Sequence, residues 1–302
     1  MAIITYTSLS NIKNFSINEL PNTPQQIEQQ LHNYNEMAHA YSPAPFDLIR
    51  LSMTQPLTSQ YCAAYSLTAV AATFGILPED KTIAVTRGEG CPSKVTLSCD
   101  DNFSTLALKL FTLTRFDVEE IKKLFDLKCE SERSEKVARV LEEAKKGGSM
   151  PRRVAEVAES LGLQATLFVT SDAYDNFATL AQKMIKELGS TASPQEVLAF
   201  VFGDPQKFTV TNSPMPIPQA DELNLVLVST PVNSLHWVAL SSDSTYFDSL
   251  RNYQPGGQFG CVGSSWSSRP YVDTGVWVTV KRKTQQSLAP VKLNSEGLFT
   301  FD

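Results

Sequence analysis

TSQYCAAYSLTAVAATFG occupies residues 58–75. Polar residues lead to Cys62, and small, mostly apolar side chains then run to Gly75, where a left-handed helix cap is expected. A helix apolar on every side belongs inside a core, so this stretch predicts a buried central helix with a cysteine in its first turn. A packing cysteine could stand anywhere along such a helix, and that remains the plain alternative. At the start, however, the sulfur meets the positive end of the aligned peptide dipoles and unpaired backbone N–H groups. Both favour the thiolate, which is the nucleophilic form.

Working outward, the chain is helical first and sheet-rich last. Upstream, residues 22–41 predict a helix capped by Thr23 with Pro24 in its first position and Ile27, Leu31, Tyr34 and Ala38 as its stripe. Downstream, 78–110 reads as loops rich in Thr, Ser, Asp and Cys. FDVEEIKKLFDL predicts a helix with Asp117 and Glu120 in capping-box register. EKVARVLEEAKK predicts another, stopped by Gly147 and Gly148. SMPRRVAEVAESLG predicts a third, with Ser149 as cap and Val154, Val157, Ala158 and Leu161 buried. LQATLFVT reads as a strand, followed by helices at about 175–188 and 194–202, the second with Ser193 and Glu196 in capping-box register. A proline-rich connection, FTVTNSPMPIPQ, leads into short β-branched and aromatic segments: LNLVLVS, LHWVALSS, STYFDSL and TGVWVTVKRK. That order predicts an α+β fold rather than alternating βαβ units. No internal repeat or low-complexity linker divides the chain.

Composition narrows the function classes. The 302 residues are 42% hydrophobic with net charge −6, enough for a sizeable core and the wrong sign for nucleic acid. No run of 18 apolar residues predicts a membrane span. The N-terminus shows no basic region followed by an apolar core, so cytoplasmic residence or export without a recognisable signal is expected. Cys62, Cys91, Cys99, Cys129 and Cys261 are odd in number and lack a CxxC pair, which favours free thiols over disulfides or a metal centre. No metal and no cofactor is expected.

Only His32, His39 and His236 are available as a base. The first two fall in the upstream helix and read as surface or rim residues. His236 opens an alternating strand in NSLHWVALSSDSTYFDS, with Val238 and Leu240 on its side and Trp237, Ala239 and Ser241 on the other. If that strand and the next pair around the turn SSDS, Asp248 falls nearly opposite His236. An aspartate there fixes the imidazole tautomer and stabilises the imidazolium. Gln55 and Gln60 precede the cysteine, and either side-chain amide could join a backbone N–H in binding an oxyanion.

In QPLTSQYCAAYSLTAVAATFG, GGSMPRRVAEVAESLGL and LHWVALSSDSTYFDS the chain resembles the papain-like cysteine peptidase superfamily, nearest to its bacterial C39-like branch. The resemblance covers about half of the chain. It implies a papain-like α+β fold in which a central nucleophile helix packs against an antiparallel sheet, with helical insertions. On that reading residues 1–50 are an N-terminal helical extension that could cover the cleft. Residues 51–302 form the catalytic domain, with a helical part (51–205) and a sheet-rich part (220–285). The resemblance makes Cys62 the nucleophile, His236 the base and Asp248 its orienting partner, with Gln55 the first choice and Gln60 the second for the oxyanion. The implied reaction is thioester acyl transfer on a protein or peptide, most simply hydrolysis of a peptide or isopeptide bond. Deamidation, transglutamination and an inactive binding module on the same fold stay open. Ala63 stands where such enzymes usually have glycine, so its methyl could narrow the cleft floor.

Weaker signals point elsewhere. GGQFG, beside Cys261, lacks the strand–loop–helix setting of a phosphate cradle. The acidic pairs Asp100–Asp101 and Glu119–Glu120 read as solvated faces or caps.

Overall fold

The computed structural model describes residues 55–56, 59–76, 80–86, 92–127, 135–146, 148–232, 234–250, 262–263, 265–283, 292–293 and 299–300. The upstream helix, with His32 and His39, lies outside them, as do Cys91, Cys129 and Cys261. Helix α1 (Cys62–Thr73) buries every residue from Cys62 to Ala72. Its small side chains let neighbours approach from all directions. Gly75 ends it at φ +65°, with the Ile76 N–H donating back to Ala71 O at 2.8 Å.

Where it is described, the stretch expected as loops (80–86 and 92–110) is largely regular structure. Strands β1 (Lys81–Thr86) and β2 (Pro92–Leu97) form an antiparallel hairpin, and α2 (Phe103–Thr114) follows. Asn102 caps α2 by accepting from the Thr105 N–H at 2.8 Å. Its stripe of Phe103, Leu106, Ala107 and Leu110 is buried in the same core as α1. Ala84 joins Ile83 and Val85 into a continuous apolar run and so hides the two-residue alternation of β1, and β2 shows it only at Val95 and Leu97. Nor are the acidic pairs wholly solvated. Asp101 is buried and ion-paired to Lys109 at 2.6 Å.

Three helices come next: α3 (Val118–Leu124), α4 (Glu135–Lys146) and α5 (Pro151–Ser160). Asp117 caps α3 through the Glu119 N–H at 2.9 Å. Glu120 does not complete a capping box, because it turns to Arg153 of α5 at 2.8 Å. Ser149 does not cap α5 either: Met150 occupies that position, and the Ser149 hydroxyl donates to Thr114 Oγ1 at 2.9 Å.

Strand β3 (Leu163–Thr170) runs directly into α6 (Ser171–Leu188), which starts earlier than expected because Thr170 caps it. Helix α7 (Pro194–Phe202) carries the expected Ser193–Glu196 capping box. The proline-rich connection opens as a strand, β4 (Phe208–Thr211). Strands β5 (Glu222–Ser229), β6 (Leu235–Leu240), β7 (Tyr246–Phe247), β8 (Val262–Gly263) and β9 (Val272–Arg282) follow, then β10 (Lys292–Leu293) and β11 (Phe299–Thr300).

Seven strands form one sheet in the order β4-β3-β9-β5-β6-β7-β8. It is antiparallel, as expected, apart from the edge strand β4, which runs parallel to β3. Leu225, Leu227, Trp237, Ala239 and Phe247 share the core of α1. Val226, Val228, Val238, Leu240 and Tyr246 pack on the opposite side with Trp266, Tyr271 and Trp277. This is the alternation read from LHWVALSS. Helices α3, α4, α6 and α7 gather around a further cluster that includes Ile121, Val137, Met184 and Val197. Gly275 of β9 sits at φ +79°, and a Cβ there would lie 2.3 Å from Thr170 Oγ1, so the start of α6 is docked against a position only glycine fits. Among the described residues no helix is long and apolar enough to cross a membrane.

Candidate active site

Cys62 is the first residue of α1 and is 8% exposed. One turn further, Ser66 Oγ donates to the backbone carbonyl of Trp237 at 3.1 Å. That bond ties α1 to β6 beside His236. The register Ala239↔Phe247 and Leu240↔Tyr246, continued by one residue, sets Val238 across from Asp248. His236 is therefore the diagonal neighbour of Asp248 rather than its direct partner, and the imidazole spans the difference.

The ring donates from Nε2 to Asp248 Oδ1 at 2.7 Å, and the Cys62 side chain lies beside it. With Nε2 committed to the carboxylate, Nδ1 is the nitrogen left for the sulfur. Burial disfavours charge on the ring. The charge and hydrogen bond of Asp248, with the Cys62 side chain beside it, outweigh that penalty and push the ring from 6.5 up to about 10. The cation is thus the favoured form of this imidazole at neutral pH.

Asp248 is 1% exposed and well supplied with donors. Oδ1 also accepts from the Leu250 N–H at 2.8 Å, and Oδ2 accepts from the Tyr271 hydroxyl. The next residue links this strand to the approach to Cys62: Ser249 Oγ donates to Gln55 Oε1 at 2.9 Å, and the Gln55 N–H donates to Ser249 O at 3.0 Å. Gln55 Nε2 in turn donates to Ser59 O at 3.0 Å. Gln60 lies instead on the wall of the cavity that opens at Cys62.

That cavity runs from Cys62 and Trp237 between α3, α6 and α7, past Phe116, Phe177, Leu198 and Phe200. Its wall is largely apolar. The Trp237 indole donates to Ser149 O at 3.4 Å, holding the loop before α5 beside the cavity. Ala63 has no exposed surface. Its methyl packs into the core and does not narrow the floor.

The structure therefore brings Cys62 beside the hydrogen-bonded pair His236–Asp248, with Gln55 and Gln60 on the approaches. Sequence reasoning missed Ser66, Ser249 and Tyr271. Tyr271 lies before β9, far along the chain from His236, and no local spacing announces it. Among the described residues no group of three or more His, Cys, Asp or Glu side chains could hold a metal ion.

Searches of curated proteins and of solved structures find no match. A family model does match, over residues 54–283, a span that takes in the central helix, the sheet and the residues just described. The chain belongs to the invasion plasmid antigen J cysteine protease family.

Proposed function

We propose that the protein is a cysteine peptidase working by acyl transfer through a thioester on Cys62. The proton given up by the Cys62 thiol rests on His236, the cationic partner at neutral pH, and the sulfur attacks the substrate carbonyl. The imidazolium then protonates the leaving amine, and the amine departs. Water, giving a proton to His236, attacks the thioester carbonyl and releases the acid and the free thiol. Asp248 keeps Nε2–H bound, so that Nδ1 faces the reaction throughout. The observation that carries this reading is Cys62 at the start of a buried helix beside the hydrogen-bonded pair His236–Asp248, inside the span matched by a cysteine protease family.

The oxyanion falls to a backbone N–H at the helix start and a side-chain amide. Gln55 is the first choice. Its amide is held at both ends, by Ser249 and Ser59, and one Nε2–H is left to donate. Gln60 is the second, placed on the cavity wall. The order Gln55, Cys62, His236, Asp248 supports a place near the C39-like branch of the papain-like superfamily. The family is one of secreted bacterial effectors, which supports export rather than residence in the cytoplasm. The apolar cavity suits a protein or peptide substrate with an apolar group next to the scissile bond.

A peptide library digested with the full-length protein tests this reading. New amino termini are expected with the wild type and none with Cys62→Ala. Products changed in mass with no new terminus would move the reading to deamidation or transglutamination. No product at all, or products that persist in Cys62→Ala, would overturn it.

A further inference from the structure

We propose that Tyr271 is a positioning residue: it holds the Asp248 carboxylate in the orientation that aligns His236 with Cys62. This rests on the triad reading above. A carboxylate bonded only through Oδ1 can pivot about that oxygen, and the imidazole it supports pivots with it. The Tyr271 hydroxyl donates to Oδ2, opposite the edge that receives His236 Nε2 and the Leu250 N–H. Donors on both oxygens fix the carboxylate plane. The Tyr271 ring also packs 5.6 Å from the imidazole, centroid to centroid, so the same residue limits the tilt of the base directly.

The hydroxyl is itself held in place. Tyr271 is 5% exposed and stands between a single-turn helix (Trp266–Ser268) and β9. The Arg269 guanidinium stacks 3.7 Å from the Trp266 ring centroid and reaches across Tyr271 to Asp273 at 2.7 Å. Those contacts brace the backbone on both sides of the tyrosine. Buried carboxylates that orient a histidine depend on such outer partners for their geometry.

The test uses the alkylation rate of Cys62 by iodoacetamide, followed by mass spectrometry of its peptide, which needs no substrate. Wild type, His236→Ala, Tyr271→Phe, Asp248→Ala and the Asp248→Ala/Tyr271→Phe double variant are compared, each checked for a cooperative melt. Tyr271→Phe should slow labelling roughly tenfold, the order expected when a hydrogen bond to a charged group is lost. Asp248→Ala should slow it at least as much. In the Asp248→Ala background Tyr271→Phe should add nothing, because the hydroxyl then has no carboxylate to hold. A purely structural tyrosine would give the same loss in both backgrounds, and that result overturns the proposal. So does an unchanged rate in Tyr271→Phe while His236→Ala labels slowly, a pattern that leaves the triad reading standing. If His236→Ala labels as fast as wild type, both readings fall. If Tyr271→Phe alone does not fold, the pair Asp248→Ala and the double variant still decides, since further slowing there contradicts the proposal.

Discussion

The two walls around Cys62 are built on opposite plans, and only the apolar one lines the cavity. On one, β6 and β7 place buried polar groups side by side, each with a partner: His236 on Asp248, Asp248 on Tyr271, Ser249 on Gln55. On the other, α3, α6 and α7 offer Phe177, Leu198, Phe200 and their neighbours, with little polar surface in the cavity. The first wall fixes atoms by directional bonds and suits chemistry. The second fixes only a shape and suits selection of what enters. A buried carboxylate and imidazole are stable because each satisfies the other, whereas an apolar wall needs only volume.

Breaking the polar wall should have the largest effect. His236→Ala is expected to lower turnover by roughly a thousandfold or more while the fold persists, as is usual for members of a catalytic unit. Steady-state kinetics on a peptide selected from the library would measure it, and a loss below tenfold would mean that the two walls do not divide the work.

The helical wall carries polar anchors of its own, the most buried being the Arg153 side chain, 1% exposed and paired with Glu120 of α3 and Glu156, while Arg152 reaches the same Glu120 at 3.9 Å. Removing one member leaves buried charge without its counterpart. Arg153→Ala should therefore cost about 3–5 kcal/mol of stability by urea unfolding. A cost under about 1 kcal/mol would show that α3 is held by apolar contacts alone.

The polar wall should also make stability pH-dependent. The ring of His236 titrates near 6.5 when unfolded and is raised to about 10 by its partners. Its contribution is then complete below pH 6.5 and is lost as the pH climbs through 10. Urea midpoints measured across that window should fall with pH in the wild type and flatten in Asp248→Asn. The smallest effect belongs to the apolar wall: Phe200→Ala should raise KM by roughly tenfold with kcat nearly unchanged, as expected for a uniform binding contact.

Much of this was legible locally. The run of small, mostly apolar residues after Cys62 and the glycine that ends it define α1 with no tertiary information. The turn SSDS and the alternation around His236 define the hairpin and bring Asp248 within reach. What stayed hidden was either disguised or distant. The apolar run Ile83–Val85 concealed the alternation of the 81–97 hairpin, and Glu120 and Ser149 left their expected caps for tertiary partners in Arg153 and Thr114. Tyr271 and Ser249 act through contacts that only the folded sheet creates, and the cavity depends on how three helices meet.

The claim on which the account depends is that His236 activates Cys62, and comparing two thiols of the same molecule tests it most directly. Cys62 is buried and Cys99 is exposed, so access alone favours Cys99. At neutral pH iodoacetamide is expected to label Cys62 roughly tenfold faster or more, because reactivity follows the thiolate, and His236→Ala should abolish that lead. Faster labelling of Cys99 in the wild type, or a Cys62 lead that survives His236→Ala, would contradict the account.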